Sequence, residues 1–336
     1  MRLYILLLSV IFLFLPLKAK SLGSNFDTPS YSESHNTNSG PTRTETFRVD
    51  GPVDLEVTTR GGWIEVQRGP SEEVKVEMFV DRSFSFFGRD QSLDQHRIVI
   101  QQRNNAIKAL ADPRGQSGPV VSFRVTVPEE TSAKLKSSGG SIKANGVSGK
   151  HSLESSGGSI DVQYTKGTTQ IKVFGGSVKA KHIDGALHVE TFGGSVNSNF
   201  INGEARIRSH GGSINVLNLE GGLLIENMGG TVTSHISKLG EGVRVSTSGG
   251  SIDFIINQND LFDLVAQASQ VMVYHGMKHA ELLNLINQEN VRREKLSELS
   301  SDSDRRAGSF NLSNGEVPVI LENEAGIVNI FMYQEE

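Results

Sequence analysis

The stretch that decides the fold, residues 137–180, reads SSGGSIKANGVSGKHSLESSGGSIDVQYTKGTTQIKVFGGSVKA. It contains three copies of a unit in which Gly-Gly-Ser is followed by Ile or Val, and four further copies follow it, one with Thr in place of Ser. The seven copies begin at Gly139, Gly157, Gly175, Gly193, Gly211, Gly229 and Gly249. Their successive spacings are 18, 18, 18, 18, 18 and 20, and a fixed period of this kind indicates a repeat architecture.

Apolar residues keep the same register as the glycines. One series lies four positions before each glycine pair and a second series lies three positions after its first glycine. The first is Leu135, Leu153, Ile171, Val189, Ile207, Ile225 and Val245; the second is Ile142, Ile160, Val178, Val196, Ile214, Val232 and Ile252. A single unit is too small to bury these residues, but units stacked at about 4.8 Å would align them as internal columns. The sequence therefore predicts an all-β, single-stranded β-solenoid (β-helix) with 18-residue rungs, of undetermined handedness.

Two other interpretations of the glycine pattern explain less. A flexible linker or a phosphate-binding loop accounts for glycine, but neither predicts apolar residues in register. Acyltransferases built of hexapeptide repeats have a coil of the same length. The apolar spacings from Leu135 through Ile142 and Val147 to Leu153 are seven, five and six, however, and no catalytic histidine is evident.

The remaining sequence divides into segments around the repeats. We expect a signal peptide at 1–21, a disordered leader at 22–43 and a β-rich N-terminal part at 44–133 that caps the solenoid. The solenoid repeats occupy 134–256, a loop or short helix excursion 257–306, and closing C-terminal strands 307–336. Within the excursion, Leu282, Leu285 and Ile286 have helical spacing, which favours an amphipathic helix in 278–299.

Phe84, Phe86 and Phe87 form the most apolar candidate loop. Exposed, they would make a patch suited to a partner; folded over the first rung, they would plug the core. The plug is favoured because soluble proteins seldom expose three phenylalanines together.

The N-terminus and the composition predict an exported protein. Arg2 precedes an apolar stretch from Leu3 to Leu17, which is typical of a signal peptide, and an uncleaved anchor is the alternative. No later segment is apolar and long enough to span a bilayer, so no integral anchor is expected after cleavage. The predicted location is the periplasm, the cell surface or the extracellular space.

The charge of the chain argues against one class of partner, and its lack of cysteine excludes two covalent modifications. The formal net charge of -5 becomes -8 when Arg2, Lys18 and Lys20 are removed with the leader. An acidic chain argues against nucleic acid as a partner. The chain has no cysteine, which excludes disulfides and a lipid-modified cysteine.

The search for catalytic or cofactor chemistry predicts no catalytic, cofactor-binding or metal site. His275 and His279 have metal-ligand spacing on a helix, but no third ligand is indicated, so a solvated pair is favoured. One outward series, Lys143, Asp161, Lys179, Asn197, Asn215, Thr233 and Asp253, has only two acids, which are five rungs apart. Another, Lys136, Glu154, Lys172, Glu190, Arg208 and Glu226, alternates in sign and predicts weak ion pairs on a solvated face.

The Ser-Gly-Gly-Ser-Ile units at Ser138 and Ser156, the alternating N-terminal strands and the closing stretch Glu324 to Ile327 resemble a known group. This is the bacterial putative-adhesin family of β-strand repeats, a domain family of unknown function. The resemblance covers residues 44–331, implies an exported β-solenoid at the cell envelope and offers no catalytic motif to carry over. We expect an exported, non-enzymatic, adhesin-like protein of the cell envelope that presents a rigid surface for binding an envelope protein or a glycan. The alternatives are a purely structural envelope scaffold and a β-helix carbohydrate-active enzyme. The oligomeric state is left open.

Overall fold

The computed structural model describes residues 40–81, 93, 96–113, 119–279, 282 and 304–334. The named elements within these ranges are all β-strands. They are β1 (Arg43–Arg48), β2 (Val53–Thr59), β3 (Ile64–Arg68), β4 (Glu73–Asp81), β5 (His96–Arg103), β6 (Ala106–Pro113), β7 (Val120–Val127), β8 (Thr131–Ser137), β9 (Ile142–Asn145), β10 (Ser148–Ser155), β11 (Ile160–Val173), β12 (Val178–Thr191), β13 (Val196–Asn202), β14 (Ala205–Ser209), β15 (Ile214–Asn227), β16 (Val232–Thr247), β17 (Ser251–Asn257), β18 (Phe262–Lys278), β19 (Asp304–Ser313), β20 (Val317–Asn323) and β21 (Ile327–Gln334). No helix among the described residues is long and apolar enough to cross a membrane.

The strands form two walls of mainly parallel pairing. The first wall runs in the order β5, β6, β2, β8, β10, β11, β12, β14, β15, β16, β20, β18 and β19. The second wall runs β1, β4, β7, β3, β9, β11, β12, β13, β15, β16, β17, β21 and β18. The long strands β11, β12, β15, β16 and β18 take part in both walls. Antiparallel pairs occur towards the ends of the walls, between β5 and β6 and between β18 and β19 on the first wall, and between β1, β4 and β7 on the second.

The pairing register follows the repeat. On the second wall, Ile142, Ile160, Val178, Val196 and Ile214 are successive Cα partners, each one repeat length after the last. On the first wall, Leu135, Leu153, Ile171, Val189 and Ile207 are paired in the same way. Both columns are buried and belong to one apolar cluster. Inward aliphatic side chains at alternate positions are what a strand facing a core requires.

The longer last step of the repeat is absorbed as an irregularity between β15 and β16. Ile214 pairs with Val232 at the ordinary repeat length, whereas Ile225 pairs with Val245 at the longer step, and the register shifts between these points. After this irregularity, five strands pair in parallel and form a closed ring, in the order β16, β17, β21, β18 and β20. The other strands are bonded outside this ring.

The segment 257–306 differs from the expected loop or short helix. Its first part is the long strand β18, in which Phe262, Leu264 and Ala266 are buried at alternate positions. This period of two was overlooked because the glycine repeat ends before it. Of the expected helix in 278–299, only Lys278, His279 and Leu282 lie within the described residues, and Phe84, Phe86 and Phe87 lie outside them.

Candidate binding surface

An open groove of about 910 Å³ lies on the outer side of the first wall. Outward side chains of β5, β6, β2, β8, β10 and β11 line it. The pairing register sets their order across the wall: Gln101 lies opposite Lys108, Lys108 beside Glu56, and Glu56 beside Lys134. Ser152 and Gln170 continue that row on β10 and β11. The groove is therefore built on paired strands, which hold its side chains at fixed spacing.

Cations outnumber acids in this groove. Its acidic lining residues are Asp54 and Glu56. Its five lysine and arginine residues are Arg97, Arg103, Lys108, Lys134 and Lys150. The ammonium of Lys108 is 2.9 Å from a carboxylate oxygen of Glu56. The other four cations are exposed and form no ion pair with any described residue. This lining is basic on a chain whose net charge is -5.

Beyond the groove, the same wall carries the alternating charges expected from the sequence. Ion pairs join successive strands at Lys136 and Glu154 (2.8 Å), Lys172 and Glu190 (3.3 Å), and Arg208 and Glu226 (2.7 Å). All members of these pairs except Lys136 line a second cavity of about 520 Å³, which shares Ser152 and Gln170 with the groove. Because the pairs are solvent-exposed, each contributes little to stability.

Two columns of stacked rings follow the repeat on the outside. In the first, the ring centroids of Tyr164 and His182 are 4.6 Å apart and those of His182 and Phe200 are 4.9 Å apart. In the second, Phe174 and Phe192 are 4.8 Å apart and Phe192 and His210 are 4.6 Å apart. The sequence analysis missed both columns, although the members of each recur at the period of the glycine repeat.

The first column stands on an unusual backbone. Tyr164, His182, Phe200 and the next residue in the series, Asn218, all have φ between 53° and 57°. Non-glycine residues seldom adopt this left-handed region. The near-parallel rings turn their faces to one another within the column.

A third cluster is buried near the C-terminal end of the described chain. His235 is fully buried beside Ile255, with its ring centroid 5.3 Å from that of His279 and 5.6 Å from that of Tyr333. His279 in turn stacks on Tyr333 at 4.4 Å. Burial, with a smaller contribution from His279, lowers the pKa of His235 to about 4. The imidazole is therefore neutral in the fold at neutral pH.

The lowered pKa predicts a pH-dependent stability. Unfolded, His235 takes up a proton near its ordinary value of 6.5, whereas folded it does so only near 4. Stability that is complete above pH 6.5 should therefore fall as the pH drops towards 4, by about 3 kcal/mol for this residue. Urea unfolding at pH 7.5 and pH 4.5 should show a smaller loss in His235→Leu than in the unchanged protein.

The exposed His275→Gln variant is the matched control and should keep the full pH dependence. Some dependence should also remain in His235→Leu, because burial lowers the pKa of His151 in the core as well. Equal pH dependence in His235→Leu and the unchanged protein would rule out this role for His235.

The structure separates the two histidines considered as a metal pair. His275 is exposed on β18, and His279 is packed against Tyr333. Within the described ranges, no group of three or more His, Asp or Glu side chains could hold a metal ion. The mixed series from Lys143 to Asp253, which was expected to face outward, is one column of pairing partners, and Asn215 donates a hydrogen bond to Asn197 (2.9 Å) within it. Its last two members, Thr233 and Asp253, are buried, so the outward assignment is wrong at that end of the column.

The polar groups at the glycine corners are satisfied by serine hydroxyls. The amides of Gly140 and Gly158 donate to the hydroxyls of Ser137 and Ser155, three positions earlier. The hydroxyl of Ser159, which follows a glycine pair, accepts a hydrogen bond from the amide of Ser177, one repeat later (3.3 Å). The hydroxyls of Ser137 and Ser155 are buried, and they donate in turn to the carbonyls of Gly62 and Gly140.

Comparison with known proteins gives little further information. No protein-family model matches the chain, and no curated protein matches it in sequence. Among solved structures, it is similar to a putative cell adhesion protein from Clostridium sporogenes ATCC 15579. The two are 11% identical, the match covers 86% of this chain and 99% of that chain, and the TM-score is 0.19. A likeness at this TM-score supports no conclusion about function.

Proposed function

We propose that this chain is an exported, non-enzymatic, adhesin-like β-repeat protein of the cell envelope that presents a rigid surface for binding a protein or glycan partner. In this proposal the two walls are the sides of a β-solenoid with 18-residue rungs. The N-terminal strands and the closing strands cap it. Export rests on the signal-peptide pattern at the N-terminus, and the adhesin-like role rests on the resemblance of the repeats to the putative-adhesin family.

The observation that carries the proposal is the groove on the first wall. Its floor strands β6, β2, β8 and β10 are each paired on both sides, so binding there would cost little backbone ordering. Its lining combines charged groups with hydroxyl and amide groups, which suits recognition of a polar partner. A scaffold alone would not require a concave surface with unpaired charges.

Filling the groove should abolish binding without unfolding the protein. Ser152 is exposed and lines the groove, so Ser152→Trp fills it sterically and leaves the charge unchanged. The matched control is Asn197→Trp, which places the same side chain at an exposed position of the second wall. The secreted form of each protein would be tested on a glycan array and on isolated cell envelopes.

We expect the unchanged protein and Asn197→Trp to bind and Ser152→Trp not to bind. Equal binding by Ser152→Trp would place the interaction elsewhere. No binding by any of the proteins, combined with envelope defects in cells that lack the protein, would favour the structural scaffold. Turnover of an envelope polysaccharide by the purified protein would favour a carbohydrate-active enzyme.

A further inference from the structure

We infer that the partner of the groove is a linear anionic polysaccharide whose negative groups are bound by Arg97, Arg103, Lys134 and Lys150. This inference rests on the proposed binding function and names its ligand class. It follows from three features of the groove: unpaired cations, their distribution along the stacking axis, and the uncharged polar groups between them.

The first feature is a contrast within one wall. Away from the groove, cations of the first wall are paired with acids on neighbouring strands, as at Lys136 with Glu154 and Arg244 with Glu322. None of the four groove cations forms an ion pair with a described residue, although Glu56 and Asp112 are the register partners of Lys134 and Arg97 on the neighbouring strands. Unpaired like charges repel one another at close spacing, and a polyanion would relieve that repulsion.

The second feature is distance. Arg97 and Arg103 project from β5, whereas Lys134 and Lys150 project from β8 and β10. Four strand spacings separate β5 from β10, which is roughly 19 Å. A single phosphate or carboxylate ion cannot bridge this span, but a linear polymer lying across the strands can contact both groups of cations.

Asp54 sits between the two groups of cations. It pairs in register with Ala106 on one side and Ser132 on the other, in the row that leads to Lys150. An acid at this point would repel a negative group directly above it and could accept a hydrogen bond from a sugar hydroxyl. The ligand that fits therefore carries negative groups at intervals, with neutral sugar between them.

The third feature is the uncharged lining, which favours a sugar chain over an acidic peptide. Ser132, Ser152, Thr168, Gln101 and Gln170 supply hydroxyl and amide groups that can both donate to and accept from sugar hydroxyls. A peptide adds to a sheet through an unpaired strand edge, but the floor strands have none. A peptide would also need apolar anchor sites, and Val99 is the one branched aliphatic residue of the described lining that is partly exposed.

Removal of groove charge tests the inference. Lys134→Gln/Lys150→Gln deletes two groove cations, and Lys143→Gln/Lys179→Gln deletes two exposed cations of the second wall, so both variants have the same net charge. The probes are polygalacturonate, dextran sulfate, a phosphomannan, neutral dextran and polyglutamate, each measured by calorimetry or biolayer interferometry. Thermal melting checks that both variants are folded.

We expect at least one anionic polysaccharide to bind. Its affinity should drop about tenfold in the groove variant, because two charge-assisted contacts are lost, and less than about twofold in the control variant. Added salt should weaken binding. Comparison of the carboxylate, sulfate and phosphate polymers identifies the anionic group that is preferred.

Three results would overturn the inference, and they separate it from the broader proposal. Equal binding of neutral dextran would keep a glycan-binding function but exclude charge recognition. Tight binding of polyglutamate in place of the polysaccharides would identify an acidic peptide as the partner. Equal loss of affinity in both variants would show a general charge effect with no dedicated groove. If no probe binds and the array and envelope tests are also negative, the proposed function fails as well.

Discussion

Val178→Asp is expected to abolish the cooperative fold. Val178 is buried on the second wall between its partners Ile160 and Val196, which are also buried. A carboxylate there has apolar neighbours along the column on both sides, and the cost of such a lone buried charge is roughly 4–5 kcal/mol or more. Since whole domains are stable by only about 5–15 kcal/mol, most of the stability should be lost. The measurement is urea unfolding followed by circular dichroism, together with the soluble yield.

Ile160→Asp, one strand earlier in the same column, should behave in the same way. The matched control is Asn197→Asp, which introduces the same carboxylate at an exposed position next to the buried Val196. Its oxygen can still accept the hydrogen bond from Asn215, and its pairing partner on β12 is Lys179. Its unfolding midpoint should therefore stay close to that of the unchanged protein. Ordinary melting of Val178→Asp would show that this column does not face a core.

The internal columns could be predicted because each position repeats one chemical type. Ile or Val recurs at Ile160, Val178 and Val196, and the structure pairs these residues at the step of the glycine repeat. The ion pair of Lys172 with Glu190 also follows from the period, because the charge at this position alternates from one unit to the next. Both features are local to the repeat, so its spacing is sufficient to find them.

The groove could not be predicted in the same way. It depends on β5 and β6, which lie outside the repeat, and on the pairing of Leu55 with Ile107, which are far apart in the sequence. Nothing in the period of the repeat indicates that β2 pairs with β6. The stacked rings could not be predicted for another reason. Tyr164, His182 and Phe200 differ in residue type, so they do not form an obvious repeated position. Their positive φ values are set by the conformation of the corner and cannot be inferred from residue type. Outward positions constrain residue type less than the core does.

Gly212→Ala is the second substitution with a large expected effect. Gly212 has φ +88°, and a Cβ placed there would lie against the backbone carbonyl of Gly194, one repeat earlier, far inside van der Waals contact. Because the obstacle is backbone and not the end of a flexible side chain, the two repeat units would have to move apart. Together with the unfavourable φ, this should cost roughly 3 kcal/mol of the free energy of unfolding. Urea unfolding at neutral pH measures the difference.

The adjacent Gly211 provides a control within the same corner. A Cβ at Gly211 meets no heavy atom within 4 Å, and its φ lies outside the left-handed region. Gly211→Ala should therefore change stability by no more than about 0.5 kcal/mol. The contrast follows from the close approach of successive repeat units: the second glycine of each pair lies against the backbone of the preceding unit, whereas the first faces open space or ordinary contacts. Equal losses from the two substitutions would mean that the pair serves only the local turn and not the approach of one unit to the one before it.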